Sequence, residues 1–438
     1  MSAAADHPYW MPFTANRDFS RKPRIITGAA GHWYTRPDGT RLYDTFSGLW
    51  TSGVGHCHPR IVAAVQEQVA MLDYCITFQV TNDKALALAE RVTAMAPQGF
   101  SHCFFTNSGS ESVDTALKIA LGYHRARGEG HRTRLIGREK GYHGVNFGGM
   151  SVGGMVPNRK AFSAALLPGV DHLRHTLDIE RNAFSRGLPK HGIELAEDLE
   201  RLCLLHDGSN IAAVIVEPVP GSAGIIPPPP GYLERLREIC DKHGILLIFD
   251  EVIAAFGRLG EPFGATRFGV TPDIITTAKG LTNGVVPMGA VLVRDEIHDA
   301  FMNGPAYMIE LFHGYTYSGH PVAAAAGLAT MDVYEEEGIF EQARGLETFF
   351  EDLLHSFADH PHVIDVRNIG LMGAIELAPR EGAPGVRGFE IHKHCFWEEN
   401  LVIRNGMDLL QFSPFLNSDR NEMEQSFAAV RRALDAVD

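Results

Sequence analysis

The chain of 438 residues is 45% hydrophobic and 21% charged, enough apolar material for a large core in one to three domains and too much for a mainly disordered chain. Its 39 Lys and Arg against 53 Asp and Glu give a formal net charge of −14, which repels nucleic-acid phosphates and anionic lipid. No apolar run approaches the ~20 residues that span a bilayer, and MSAAADHPYWMPFTANRDF has no basic stretch leading into an apolar one, so a cytoplasmic setting is expected.

In chain order, the first 60 or so residues are rich in aromatics and turn formers, as expected of a segment that packs against another domain or a neighbouring subunit. From about residue 100 to 295 short apolar runs alternate with helical stretches. His102–Phe105 precedes a Ser/Gly turn, and a helix is expected from about Glu111 to Arg127. Strands are predicted at Ile211–Val216, Ile245–Phe249, Ile274–Thr277 and Ala290–Val293, with the one-faced helix GYLERLREICDKHG between the first two. Unbroken apolar strands alternating with helices imply an α/β fold whose mostly parallel sheet is covered on both faces. After Pro321 the run VAAAAGLATMDVYEEEGIFEQARGLETFFEDLLHSF reads as long helix, followed by strands near Val363–Val366 and Leu371–Leu377. The expected division is an N-terminal segment (1–60), a large domain (61–325) and a smaller α/β domain (326–438).

Six cysteines are scattered without a CxxC pair and read as reduced thiols. His56-Cys57-His58 and His392-Lys393-His394-Cys395 lack a second pair at zinc-ligand spacing, so no metal is expected. In open α/β sheets ligands bind beyond the carboxyl ends of the strands. There, ILLIF leads into Asp250-Glu251, IITTA leads to Lys279, and Thr106-Asn107-Ser108-Gly109-Ser110 opens a helix, a turn suited to an anion. Each feature alone has an ordinary structural explanation. Phosphate turn, acid and lysine together are what pyridoxal phosphate requires.

The sequence resembles the class III aminotransferases, fold-type-I enzymes that use pyridoxal phosphate, and within them the ω-amino acid:pyruvate (β-alanine:pyruvate) group. The resemblance runs through WMPFT (10–14), SGLWTSGVGH (47–56), FFTNSGSES (104–112), GYHG (141–144), AAVIVEP (212–218), LLIFDEVIAAFGR (246–258), HGYTYSGHP (313–321) and IRNG…LQFSP (403–414). It implies a seven-stranded-type, mainly parallel sheet domain with a smaller C-terminal domain. It also implies Lys279 as Schiff-base lysine and general base, and Asp250 as partner of the pyridinium nitrogen. Tyr142 and Val252 would pack the two ring faces, Ser108, Gly109 and Ser110 would hold the phosphate, and Glu217 would lie beside the ring. Thr316 would reach a neighbouring subunit's phosphate, implying a homodimer with shared active sites, or a tetramer built from it.

Other members of the class carry a glutamate where this chain has Ser222, and that glutamate masks the arginine matching Arg404. Its absence favours pyruvate over 2-oxoglutarate, with Arg404 binding the acceptor carboxylate. Ala255, where most of the class has glycine, fits the β-alanine:pyruvate subgroup. Trp50 fits the wall of the substrate pocket, with Phe13, Phe78, Ala223 and Ile253 as further lining. A broad-specificity amine:pyruvate enzyme, a 2-oxoglutarate-dependent one, an aminomutase and a dialkylglycine decarboxylase share this scaffold. Gly149-Met150-Ser151-Val152-Gly153 also matches a hydrolase nucleophile elbow, but its flanks read as glycine-rich loop instead of strand and helix.

Overall fold

A computed structural model of the chain describes residues 8–437. The first strands are β1 (Gly28–Ala30), β2 (Trp33–Thr35) and β3 (Arg41–Asp44). Next come β4 (Phe100–Thr106), β5 (Arg134–Arg138), β6 (Val170–Leu173), β7 (Ile211–Val216), β8 (Leu246–Asp250), β9 (Ile274–Thr277) and β10 (Gly289–Arg294). The last are β11 (Val363–Ile369), β12 (Met372–Leu377), β13 (Leu401–Val402), β14 (Arg404–Asn405) and β15 (Leu409–Phe412).

β4 through β10 build one seven-stranded sheet in the order β4-β10-β9-β8-β7-β5-β6. Only β10 runs against its neighbours. Every residue of β7 and β8 is buried, as expected for strands covered on both faces. Alternation divides that burial between two cores. Ala213 and Ile215 pack with Val113, Ala116 and Ala120 of the helix Gly109–Ala126, while Val214 and Val216 pack with Leu236 and Ile239 of the helix Tyr232–His243. Two smaller sheets, β1-β2-β3-β13 and β11-β12-β15-β14, complete the fold. β3 pairs in parallel with β13, so the first strands of the chain share a sheet with residues some 360 positions later.

Two features differ from expectation. β5 and β6 had no signal as apolar runs, because RLIGR is bounded by arginines and VDHL is only partly buried. The long helix after Pro321 is two helices, Pro321–Glu336 and Ile339–His355. Gly338 separates them at φ +60°, a left-handed conformation that glycine adopts without a Cβ penalty.

Candidate active site

The carboxyl ends of β4, β5, β7, β8 and β9 all feed residues into one cavity of about 350 Å³. At one end, Ser108 caps the helix Gly109–Ala126, its hydroxyl accepting the Glu111 N–H at 3.2 Å. Ser110 Oγ accepts the Val145 N–H at 3.1 Å. Gly109 is required by close approach: a Cβ there would stand 2.8 Å from Val252 Cγ1. Helix N–H groups and dipole make this end attractive to a phosphate.

Asp250, the last residue of β8, lies buried on the cavity wall. Its Oδ1 accepts the Val252 N–H and the Thr276 hydroxyl, each at 3.1 Å. Its Oδ2 is 2.7 Å from His143 Nδ1, which carries the proton and donates it. His143 is itself buried, and its Nε2 meets no hydrogen-bond partner among the described residues. Sequence alone assigns this histidine no role, because only the fold carries residue 143 to residue 250. Its one signal was its place in GYHG beside Tyr142.

Lys279 opens the single turn Lys279–Thr282 just beyond β9, at φ +46°. That is a strained conformation for a residue with a Cβ. The Tyr334 hydroxyl donates to the Gly280 carbonyl at 2.7 Å and pins the turn from behind. Burial pushes the Lys279 ammonium down to about 8, with Arg404 adding to the fall while Asp250 and Glu217 oppose it. Glu217 is buried, accepting the N–H groups of Tyr142 at 2.9 Å and Gly221 at 3.0 Å. Burial raises its carboxyl above the usual range, with Asp250 adding to the rise and His143 opposing it.

The Trp50 ring centre lies 5.8 Å from Lys279 Nζ and 4.7 Å from the Arg404 guanidinium. Arg404 makes no ion pair among the described residues, and burial lowers its pKa. Trp50 is buried at φ +62°. The turn before it is held by Asp44, which accepts from Phe46 N at 2.9 Å and Gly48 N at 2.6 Å and meets His56 Nε2 at 2.9 Å.

Of the residues singled out from sequence, Ser108, Gly109, Ser110, Tyr142, Glu217, Asp250, Val252, Ile253 and Lys279 line this cavity. Trp50 and Arg404 are not among the lining residues; the Trp50 ring lies near Lys279 Nζ and under the Arg404 guanidinium. Phe13, Phe78, Thr316 and Ala223 do not line it within a single chain. Phe13 and Phe78 are 81% and 55% exposed, and the carbonyl of exposed Thr316 accepts from Tyr74 at 2.9 Å and Thr77 at 3.2 Å.

Ser151 lies inside the short helix Phe147–Val152, not in a loop. It is buried, donating to the Phe147 carbonyl at 2.6 Å and accepting the Leu167 N–H at 2.8 Å, so it is not placed as a nucleophile. The histidine clusters are likewise structural: His58 meets Glu337 at 3.3 Å and His392 meets the Ile403 carbonyl at 2.9 Å.

An anion cradle, a buried acid and a lysine with a depressed pKa around one cavity fit pyridoxal phosphate. Gly109 leaves the cradle open where a Cβ would press on Val252, a second residue of the cavity wall.

The chain belongs to the class-III aminotransferase family, whose model matches residues 14–434. An ω-aminotransferase of Caulobacter vibrioides is 55% identical over 98% of both chains. A β-alanine–pyruvate aminotransferase of Pseudomonas aeruginosa is 51% identical, covering 98% of this chain and 96% of its own. Among solved structures, a PLP-bound amine transaminase from an uncultivated Pseudomonas species superposes with a TM-score of 0.91 at 35% identity, covering 100% of both chains.

Proposed function

We propose that this pyridoxal-phosphate-dependent aminotransferase moves the amino group of an ω-amino acid or amine, of the β-alanine type, to pyruvate. The observation that carries the acceptor assignment is Arg404, which rests on the face of Trp50 with no carboxylate partner, in a chain with Ser222 at the masking position. An unpaired guanidinium beside the reactive lysine is suited to bidentate capture of an acceptor carboxylate. The β-alanine–pyruvate relative supports the same acceptor.

Pyridoxal phosphate, when bound, supplies an electron sink for negative charge developing at the substrate carbon. In our reading Ser108, Gly109 and Ser110 hold its phosphate, and Tyr142 and Val252 pack its ring from the two sides. The Asp250 carboxylate, itself held by His143 and Thr276, keeps a proton on the ring nitrogen. Glu217 fixes Tyr142 in place through the backbone. Lys279 would move a proton between the substrate carbon and C4′ of the cofactor, a task suited to an amine that burial pushes down to about 8. Trp50 and Ile253 wall the substrate side.

Phe13, Phe78 and Thr316 belong, we infer, to the face that meets a second copy of the chain. Trp10, Phe13, Phe78, Tyr307 and Phe312 are all large exposed aromatics, the last two 88% and 90% exposed, and aromatic side chains left so open suit burial against a partner. Thr316 from one copy would then complete the phosphate site of the other. We propose a division of the chain at about residues 60 and 325. In keeping with it, the seven-stranded sheet is built wholly from residues 100–294 and the sheet β11-β12-β15-β14 wholly from residues 363–412, while β13 joins the N-terminal segment to the smaller domain. Six unpaired cysteines support a reducing, cytoplasmic setting.

The test is a pair of half-reactions followed by cofactor absorbance. The enzyme is aminated with β-alanine, then given pyruvate or 2-oxoglutarate separately. Recovery of the original spectrum with pyruvate alone is expected, and rapid recovery with 2-oxoglutarate would overturn the acceptor assignment. Net amino transfer without release of carbon dioxide separates the reaction from an aminomutase or a decarboxylase.

A further inference from the structure

Across the sheet β11-β12-β15-β14 runs a row of facing residues, Arg367, Ala374, Gln411 and Arg404. Directly opposed residues of antiparallel strands share a face. This face packs against Trp50 and Ile253 through Met372, Ala374 and Leu409. Two members of the row hold the loop that carries Ser222. Arg367 donates to the Gly224 carbonyl at 3.1 Å, and Gln411 Nε2 donates to the Gly221 carbonyl at 2.9 Å, with the Ser222 carbonyl 3.5 Å away.

Because the amide nitrogen must face those carbonyls, Gln411 Oε1 is the free end. It is fully buried and has no donor among the described residues. Buried acceptors of this kind are uncommon and call for a donor. Arg367 is already committed to Asp365, Glu376 and Gly224. Arg404, the next residue of the row, makes no ion pair among the described residues.

We propose that Gln411 is a positioning residue for the acceptor-carboxylate site. It ties the strand of Arg404 to the Ser222 loop and offers the guanidinium a neutral resting partner in place of a carboxylate. A glutamate in the row would form an ion pair with Arg404 and compete with the substrate carboxylate, whereas an amide leaves the charge available. This inference rests on the assignment of Arg404 made above.

The test compares Gln411→Glu, Gln411→Met and Arg404→Leu in the cofactor-loaded enzyme. Calorimetry gives the dissociation constant of propanoate, and half-reactions give the pyruvate dependence and the rate with a carboxylate-free amine. For Gln411→Glu, propanoate and pyruvate weaken at least tenfold while the amine half-reaction changes less than threefold. Gln411→Met, which keeps the packing without the charge, weakens propanoate at least threefold. Equal losses in both half-reactions, or propanoate affinities like wild type in both Gln411 variants, would overturn the role of Gln411. Should Arg404→Leu bind propanoate as tightly as wild type, the assignment of Arg404 itself fails, a separate result.

Discussion

Replacing Gly109 with alanine sets two effects against each other at one atom. As the first residue of the helix Gly109–Ala126, position 109 has no positive φ, so alanine fits the backbone and helix propensity favours it by up to about 1 kcal/mol. The new methyl, however, would lie 2.8 and 3.0 Å from the two γ-carbons of Val252, against about 3.5–4.0 Å for unstrained carbon contact. Val252 cannot readily turn aside. It is β-branched, and its N–H is held by Asp250 Oδ1 at 3.1 Å. Overpacking of this kind costs about 1–3 kcal/mol. Since both residues line the cavity, the loss falls on the cofactor and corresponds to roughly a 5- to 150-fold weaker dissociation constant. Absorbance titration of the apo-protein measures it, with apo-protein melting as the control for folding. A Gly109→Ala/Val252→Ala double variant removes the clash, so the pair should couple by at least about 1 kcal/mol. Cofactor binding within twofold of wild type in Gly109→Ala would refute the reasoning.

Three further outcomes follow from the same geometry. Cofactor capture by the apo-protein needs a neutral Lys279 amine, so its rate should rise with pH through a midpoint near 8, not 10.5, and Arg404→Leu should move the midpoint upward by removing a charge that lowers it. Replacing His143 with leucine removes a 2.7 Å hydrogen bond to the Asp250 carboxylate. Bonds to charged groups are worth about 1.5–3 kcal/mol, so turnover should fall roughly 10- to 100-fold with a smaller change in melting temperature. Ser151→Ala should leave turnover within about twofold while costing about 1 kcal/mol of stability, because the side chain serves two backbone groups.

Much of the site was legible in the sequence because strands β8 and β9 are unbroken apolar runs, and a residue just past such a run must emerge at the sheet's carboxyl edge. That places Asp250 and Lys279 at the same edge of one sheet, and the structure pairs Asp250 with Thr276 in adjacent parallel strands. What stayed hidden depends on distance along the chain or on backbone conformation. Periodicity could not bring His143 to Asp250, Trp50 to Arg404 or Gln411 to Gly221. The positive φ angles at Ser47, Trp50 and Lys279 belong to residue types that sequence reasoning assigns to ordinary backbone. The break at Gly338 was masked by strong helix formers on both sides.

The most direct test of the central assignment is chemical. The cofactor-loaded enzyme is reduced with borohydride, digested and mapped by mass spectrometry. The account predicts a pyridoxyl group on Lys279, lost in Lys279→Ala. Attachment at a different lysine, or none in protein that carries the cofactor, would contradict it.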